Sequence, residues 1–308
     1  MQTTEFIWFN GKFVPWDDAK VHVLTHALHY ASGTFEGLRF YQTDDGSSAI
    51  FRLVEHVDRL LYSAQALHMA LPYSKQQICD AIVETVARNN ITSGYLRPLV
   101  FYGYQKMGVN PIGNPVDMII ACWPWGAYHA AEELDVKVSQ YIRLHPKSTV
   151  IDAKLSANYI NCILPLLEIQ GTHYHEVLLL DHDHYVSEGS SVNFFMVKNG
   201  VIYTPTLSNV LPGITRDFIL ILAKKLGYQV LETQITLAEV YAADEAFFSG
   251  TAGEITPIRS LDDKLINGGG AGPISLKLKA AYQDVVHGRD KTFSSYLTYV
   301  KLENQQHL

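Results

Sequence analysis

The sequence predicts a mixed α+β protein with about two domains, and three observations support this fold class. The chain has 308 residues, which is long for a single compact core. Segments that alternate apolar and polar residues, as strands do, occur together with segments of helical spacing. With 47% apolar and 18% charged residues, the composition is typical of a globular chain and not of a disordered one.

The N-terminal half predicts a hairpin, two helices and two strands. Residues 6–16 alternate around Asn10-Gly11, a dipeptide that suits the positive φ angles of a tight turn. Helical spacing of apolar residues then predicts one helix from about Leu53 to Leu71 and a second through Ile78, Ile82 and Val86. Strands are predicted near 95–103 and 116–123.

The C-terminal half predicts more strands, with helices between them. Residues 136–142, 177–181 and 186–197 are strand-like, and Lys198-Asn199-Gly200 turns the chain into a further strand at 201–203. A helix is expected from Gly213 to about Leu226, with Gly227 at its end. Further features are Pro165 inside a helix, a capping box at 236–239 and a turn at 268–273 before a C-terminal helix.

We place the domain junction at Tyr128–Glu133, just before the new strand at 136–142. The expected organisation is a small N-terminal domain over 1–128, an interdomain loop over 129–135 and a larger domain over 136–308.

Charge and cysteine content exclude several classes of partner. The net charge is −7 and no run of Lys or Arg occurs, so we expect binding to neither nucleic acid nor an anionic membrane. Cys79, Cys122 and Cys162 form no CxxC pair, which favours a reducing compartment over a disulfide framework. Without a secretory pattern or a long apolar stretch, the expected location is cytoplasmic.

Several residues have the chemistry of a catalytic or anion-binding site. Lys154 has small and apolar neighbours that could partly bury its amine and lower its pKa, although most lysines are solvated surface groups. The residues after Gly213 would begin a helix, and their backbone amides could hold a phosphate. Glu188 beside a hairpin turn would commonly be exposed, and periodicity alone makes Arg59 an ordinary solvated arginine on a face shared with Tyr62 and Ser63.

Taken together, these segments resemble the class IV, or fold type IV, aminotransferases. The resemblance rests on motifs spread along the chain: Glu-His-x-x-Arg-Leu at 55–60, Ala-Lys-x-x-x-Asn-Tyr at 153–159, Ser-Glu-Gly at 187–189, Leu-Pro-Gly-Ile-Thr at 211–215 and Ser-Gly-Thr-Ala at 249–252. It extends from the N-terminal hairpin to about Arg259. The implied fold is that of D-amino acid aminotransferase-like enzymes, with a small N-terminal α/β domain and a larger, β-barrel-like domain that binds pyridoxal 5′-phosphate.

The resemblance also implies the roles of the cofactor-binding residues. Lys154 would be the catalytic lysine that carries the cofactor, Tyr159 would bind its phenolic oxygen, and Glu188 would keep its pyridine nitrogen protonated. The phosphate would be held by a set of side chains and backbone amides: Arg59, Gly213, Ile214, Thr215, Gly250 and Thr251. The chain departs from the usual Ala-Gly-Glu-Asn of bacterial branched-chain enzymes at 190–193, where it has Ser-Ser-Val-Asn.

Within this class, the substrate motifs are most similar to those of the branched-chain amino acid aminotransferases. The implied substrate residues are Tyr30, Phe35, Gly37, Tyr95, Arg97, Met107, Val109, Trp125, Tyr128, Thr251 and Ala252. Aromatic residues would bind aliphatic side chains, Arg97 would bind the second carboxylate of glutamate, and the amides of Thr251 and Ala252 would bind the α-carboxylate. The implied reaction is reversible amino transfer between leucine, isoleucine or valine and 2-oxoglutarate.

Family members place the loop near Met107 against the neighbouring subunit, so the resemblance implies at least a homodimer. Two alternative functions remain open. Another fold type IV enzyme, such as a D-amino acid aminotransferase or an aminodeoxychorismate lyase, would share every cofactor residue. A metal-binding protein is the more distant alternative, and it would use one of two sets of residues: His173, His175, Asp181, His182, Asp183 and His184, or His22, His26 and His29.

Overall fold

The computed structural model describes residues 2–302 of the chain. Its strands, numbered in chain order, are β1 Phe6–Phe9, β2 Lys12–Pro15, β3 Gly33–Phe35, β4 Leu38–Gln42, β5 Ser48–Phe51, β6 Gly94–Tyr102, β7 Val116–Trp123, β8 Leu134–Ile142, β9 Glu176–Leu180, β10 Val186–Gly189, β11 Asn193–Lys198, β12 Val201–Thr204, β13 Val230–Glu232, β14 Glu245–Gly250, β15 Glu254–Leu261, β16 Lys264–Leu265 and β17 Leu297–Val300. Its α-helices are α1 His26–Tyr30, α2 Leu53–Ala66, α3 Lys75–Asn89, α4 Ile160–Glu168, α5 Ile214–Lys225, α6 Leu237–Tyr241 and α7 Pro273–Val286. The mixed fold class is confirmed.

The chain divides into two compact units. Among the described residues, the first unit combines residues 2–126 with Ala153–Ala157 and residues 284–302. The second unit combines Ala127–Asp152 with Asn158–Gln283. The division into domains over 1–128 and 136–308, joined by a loop over 129–135, stays a prediction. Residues 303–308 of the predicted larger domain lie outside the described part of the chain.

The first unit is built on an eight-stranded sheet with the strand order β17-β5-β4-β6-β7-β1-β2, with β3 added on β6. The N-terminal hairpin is confirmed, since Asn10 and Gly11 connect β1 to β2 with φ angles of 46° and 88°. The helix predicted to reach Leu71 ends at Ala66, and His68 then takes a φ of 55°, which ends the helical path.

The core of this unit lies between its sheet and one stripe each of α2 and α3. Leu60 on α2 and Ile78 and Ile82 on α3 are completely buried among sheet residues such as Leu96. Burial of each such side chain stabilises the fold by roughly 1.5–3 kcal/mol. Packing of these stripes, more than intrinsic helix propensity, therefore fixes the two helices on the sheet.

The second unit contains a closed barrel of six strands, β10, β9, β8, β15, β14 and β11, as the resemblance implies. The barrel closes between β10 and β11, where Glu188 pairs with Asn193. The predicted strand 186–197 is therefore two strands, separated by a turn in which the N–H of Gly189 donates to the carbonyl of Val192 at 2.7 Å. Phe194 and Phe248 pack inside the core of this unit.

Local signals in the second unit are confirmed where the structure tests them. Asn199 and Gly200 connect β11 to β12 with positive φ angles, and Gly227 follows α5 with a φ of 84°. Thr236 forms the predicted capping box, and Pro165 lies inside α4. Among residues 2–302, no helix has both the length and the apolar character needed to span a membrane.

Candidate active site

Lys154 lies in the short segment Ala153–Ala157, which groups with the first unit. Its backbone N–H donates to Oγ of Ser63 on α2 at 2.9 Å. Its carbonyl oxygen accepts from Oγ1 of Thr34 at 2.9 Å and from the N–H of Phe35 at 3.3 Å. The Nζ atom lies 5.2 Å from the centroid of the Phe35 ring. Both β3 and α2 therefore hold the main chain of this lysine.

A polar face of α2 is buried in the same unit. His56, Arg59 and Ser63 follow one another at i, i+3 and i+7, so they share one helix face. His56 and Ser63 are buried, and the Arg59 side chain is only 11% exposed. The solvated position that periodicity alone favours for Arg59 is therefore wrong, because the helix is covered on this polar face as well as on its apolar stripe.

Glu36 provides the counter-charge to this face, although the sequence assigned it no role. Arg59 donates from Nε to Oε1 of Glu36 at 2.6 Å and from Nη2 to Oε2 at 3.0 Å. Nδ1 of His56 lies 2.7 Å from Oε2. The only sign of this role in the sequence is that Glu36 is a single acidic residue between the segments that form β3 and β4.

The pKa values of these groups reflect burial and mutual attraction. Burial raises the pKa of Glu36, but Arg59 and His56 outweigh this effect and hold it well below its ordinary value. Burial lowers the pKa of His56. The pKa of the Lys154 amine is also lowered, first by burial and then by the charge of Arg59, while Glu36 opposes this shift. Lys154 therefore has the depressed pKa that a nucleophilic or basic amine needs at neutral pH.

Aromatic and arginine side chains form a second cluster in the first unit. The rings of Tyr95 and Trp125 meet edge to face with centroids 4.7 Å apart. The Arg97 guanidinium lies 4.6 Å from the Phe35 ring centroid and 5.6 Å from that of Tyr95. Gly37 is required here, because a Cβ atom at this position would come within 1.8 Å of the Tyr95 hydroxyl. The structure thus brings together five of the predicted substrate residues.

Three other predicted substrate residues lie outside these contacts. Tyr30, Met107 and Val109 are exposed by 40%, 45% and 80%. Tyr30 is the last residue of α1, whereas Met107 and Val109 flank Gly108 in a loop. This loop contacts α1, because Nε2 of the buried His26 lies 2.7 Å from the carbonyl oxygen of Gly108.

In the second unit, Glu188 accepts hydrogen bonds from three directions at the closing strand pair. Arg143 donates from Nε to Oε1 at 2.6 Å, and Asn193 donates from Nδ2 to Oε2 at 3.1 Å. The N–H of Leu211 donates to Oε2 at 3.3 Å. The expectation that Glu188 would be exposed, as glutamates commonly are, is wrong, because its side chain is only 7% exposed.

Arg143 follows β8 and was missed by sequence reasoning. Its side chain is 6% exposed, and Nη1 donates to Oδ1 of Asn161 at 3.1 Å. Burial lowers the pKa of Arg143, but the attraction of Glu188 outweighs this effect and holds it above its ordinary value. A lone arginine after a strand has no distinctive sequence signal, since its partner lies 45 residues away.

The start of α5 has the form expected of an anion site. Gly213 is the N-cap residue, without a side-chain cap hydrogen bond, and Ile214 and Thr215 in the first turn are buried. A Cβ atom on Gly213 would lie 2.0 Å from Oδ1 of Asn193, so only glycine fits beside this amide. Helix N-termini offer backbone N–H donors and partial positive charge to an anion.

The remaining predicted residues of the second unit lie near loops at strand ends. Gly250 ends β14, and Thr251 and Ala252 follow it with partial burial. Tyr128 lies beside this loop, because its ring is 3.7 Å from the position of a Cβ on Gly253, and its hydroxyl is 3.4 Å from Oγ of Ser191. Tyr159 precedes α4 and interacts electrostatically with Arg143.

The histidine sets do not form metal sites in the described part of the chain, where no group of three or more His, Cys, Asp or Glu side chains could hold an ion. His173 pairs with Asp263 at 2.8 Å, and Asp181 binds Asn209 and backbone amides instead. The metal-binding alternative is therefore unsupported.

Comparisons with known proteins identify the family. The family model "Amino-transferase class IV" matches residues 33–261. The branched-chain-amino-acid aminotransferase of Pseudomonas aeruginosa is 46% identical over 96% of this chain and 97% of its own length. The crystal structure of the branched-chain amino acid aminotransferase of Escherichia coli has a TM-score of 0.94 at 41% identity and covers 97% of this chain and 100% of that one.

A branched-chain amino acid aminotransferase structure from Thermobaculum terrenum, in its PLP form, has a TM-score of 0.92 at 31% identity and covers 98% of this chain and 100% of that one. The relatives and the solved structures match nearly the whole chain, and the family model matches residues 33–261 within it. The chain therefore belongs to the class IV aminotransferases and, within them, to the branched-chain amino acid aminotransferase family.

Proposed function

We propose that this protein is a pyridoxal phosphate-dependent transaminase that transfers amino groups reversibly between L-leucine, L-isoleucine or L-valine and 2-oxoglutarate. Membership of the branched-chain aminotransferase family over nearly the full chain is the observation that carries this proposal. The products are the branched-chain 2-oxo acids and L-glutamate.

Each unit has side chains that suit pyridoxal phosphate. Lys154 supplies an amine of lowered pKa for attachment of the cofactor, and Glu188 is a buried carboxylate with fixed donors that suits a protonated pyridine nitrogen. Tyr159 binds the phenolic oxygen. The phosphate is assigned to Arg59, the amides of Gly213, Ile214 and Thr215, and the loop residues Gly250 and Thr251.

The cofactor, when bound, supplies the electron sink that lets the substrate Cα lose a proton. The Nζ atom of Lys154 takes that proton and later returns it, as a general base and then a general acid. Because burial and Arg59 lower the pKa of this amine, a larger fraction is the neutral base at pH 7 than for an exposed lysine. Fixation of the Lys154 main chain by Ser63 and Thr34 keeps the amine in one place between the two transfers.

The cluster around Tyr95 suits both substrate types. Phe35, Tyr95 and Trp125 offer apolar surface to branched aliphatic side chains. Nε of Arg97 is buried without a hydrogen-bond partner among the described residues, as suits a group that awaits the second carboxylate of glutamate. The amides of Thr251 and Ala252 are assigned to the α-carboxylate.

A homodimer or larger homo-oligomer is part of the proposal. The exposed Tyr30, Met107 and Val109 are apolar or aromatic, and a second copy that covered them would give them a role in substrate binding. A cytoplasmic location is supported by the three cysteines, which are buried and form no disulfide among residues 2–302.

An activity panel tests the function directly. Purified protein is incubated with 2-oxoglutarate and either L-leucine or D-alanine, and both enantiomers of glutamate are measured, because a D-specific transaminase would form D-glutamate. The proposal predicts L-glutamate from L-leucine and little glutamate from D-alanine. Formation of D-glutamate from D-alanine would identify a D-amino acid aminotransferase, and absence of glutamate with either donor would contradict the proposal.

A further inference from the structure

Glu36 is a fully buried carboxylate for which the mechanism above has no use. It is 0% exposed, and it accepts hydrogen bonds from Nε and Nη2 of Arg59 and, at 3.2 Å, from the N–H of Gly37. An ionised carboxylate can only accept, so Nδ1 of His56 carries the hydrogen in its 2.7 Å contact. Burial of a charge is costly unless it is paired, which makes this site an unusual place for an acid.

The contact between Glu36 and Arg59 fixes the orientation of the guanidinium. Two parallel hydrogen bonds join the two groups, and this fork geometry restricts rotation of the planar guanidinium much more than one bond would. Arg59 shares its helix face with Ser63, which holds the backbone N–H of Lys154. Glu36 itself follows Phe35, whose N–H donates to the Lys154 carbonyl. Glu36 therefore contacts Arg59 directly, and the main chain of Lys154 is connected to them through the neighbouring residues Phe35 and Ser63.

The charges around the Lys154 amine come from three elements. Glu36 lies between β3 and β4, His56 and Arg59 lie on α2, and Tyr95 and Arg97 lie on β6. Both arginines lower the pKa of the amine, whereas Glu36 raises it. Glu36 is the carboxylate of this group, and of the groups that oppose the two arginines it has a larger effect than Tyr95.

We propose that Glu36 is a positioning residue for amino-group transfer, which holds the Arg59 guanidinium in its phosphate-binding orientation and supplies the negative charge that offsets the arginines around Lys154. This inference rests on the proposed function of Arg59 and Lys154. It assigns two separable properties to one side chain, namely its negative charge and its reach.

The charge is tested with Glu36→Gln, which keeps the shape. Full-length, cofactor-free protein is labelled with acetic anhydride across a pH series, and acetylation of Lys154 is followed by peptide mass spectrometry. The pH at which Lys154 is half reactive is expected to fall by about one unit in the variant, as is typical for loss of a neighbouring opposite charge. Loss of a purely structural contact would lower stability without moving this pH.

The reach is tested with Glu36→Asp, which keeps the charge on a shorter side chain and so loses the double hydrogen bond to Arg59. Affinity of the cofactor-free protein for inorganic phosphate is expected to fall about tenfold, as for loss of hydrogen bonds to a charged group. The half-reactive pH of Lys154 is expected to stay near the wild-type value. This variant also provides an answer on its own if Glu36→Gln does not fold.

Glu55→Gln is the matched control. Glu55 lies on α2, the helix that carries Arg59, and it pairs with Arg52 at 2.7 Å near the surface. It is expected to change neither measurement. An unchanged Lys154 profile in folded Glu36→Gln, or unchanged phosphate affinity in Glu36→Asp, would overturn the inference. Turnover of L-leucine is measured separately in the wild-type protein. Absence of this turnover would show that the proposed function fails, whereas its presence together with unchanged variants would overturn only the role of Glu36.

Discussion

The Nε atom of Arg143 donates a 2.6 Å hydrogen bond to Oε1 of Glu188, and both side chains are more than 90% buried. Glu188 lies in the pair of strands that closes the barrel, opposite Asn193, which donates to its other oxygen. A buried carboxylate without such partners would take up a proton. Arg143 therefore provides the counter-charge for a carboxylate buried at this position.

Replacement of Arg143 by Met is expected to weaken cofactor binding. The variant leaves Glu188 buried without its charged partner, which typically costs about 3–5 kcal/mol of stability and favours the neutral acid. Urea unfolding and titration with pyridoxal phosphate measure the two effects. Arg52→Met is the control, because it removes another buried arginine, paired with Glu55, and should lower stability without altering cofactor affinity. Wild-type cofactor affinity in Arg143→Met would contradict this account of Glu188.

Replacement of Gly213 by Ala is expected to disturb the proposed phosphate-binding site. The new Cβ would lie 2.0 Å from Oδ1 of Asn193, so Asn193 must move away from Glu188. The dissociation constant for the cofactor should rise, as measured by equilibrium titration. Gly227→Ala after the other end of α5 is the control: its φ of 84° costs an alanine about 1–2 kcal/mol of stability. Cofactor affinity should be unaffected there, and equal losses in both variants would point to a general folding defect.

Replacement of Arg97 by Met is expected to separate the two substrate types. The side chain meets the second carboxylate of glutamate in our assignment, and loss of such charged hydrogen bonds costs on the order of 10–100-fold in binding. The kcat/KM for 2-oxoglutarate should fall by this factor, and that for L-leucine much less. Steady-state kinetics with each substrate varied in turn provides the measurement. Equal losses for both substrates would assign Arg97 to the fold or to a shared step.

Glu176 is expected to make the stability of the protein depend on pH. Burial raises its pKa above the ordinary value of 4.5, against hydrogen bonds from Val177 and Ser190. The folded state thus holds this proton more tightly than the unfolded state, so its contribution is complete below about pH 4.5 and is lost as the pH rises through the raised value. Relative to Glu176→Gln, the wild type should lose free energy of unfolding over that range.

The exposed Glu239 gives a control of opposite sign. Hydrogen bonds from Thr236 lower the pKa of Glu239, so its contribution is present above 4.5 and is lost as the pH falls. Urea unfolding at several pH values measures both Gln variants. A pH-independent difference between wild type and Glu176→Gln would show that Glu176 is not the group that titrates.

Local signals in the sequence predicted local structure well, because they act over a few residues. Asn10-Gly11 and Lys198-Asn199-Gly200 formed the expected turns, and Gly213 began the expected helix. The end of α2 was wrong by several residues, since apolar spacing continues beyond the turn at His68.

The partners of the candidate site could not be read from the sequence, because each is distant along the chain. Glu36 meets Arg59 across 23 residues, and Arg143 meets Glu188 across 45. Periodicity identified the polar face of α2 but could not show that this face is buried. The family motifs identified Lys154, Glu188 and Arg59 as candidate site residues. The charged groups that contact Arg59 and Glu188, namely Glu36 and Arg143, were found only in the folded structure.

Reduction of the purified protein with borohydride, followed by peptide mapping, tests most directly whether Lys154 carries the cofactor. We expect a pyridoxyl phosphate label on the peptide that contains Lys154, with loss of turnover in proportion to labelling. A label on another lysine, or full turnover after Lys154→Ala, would contradict it.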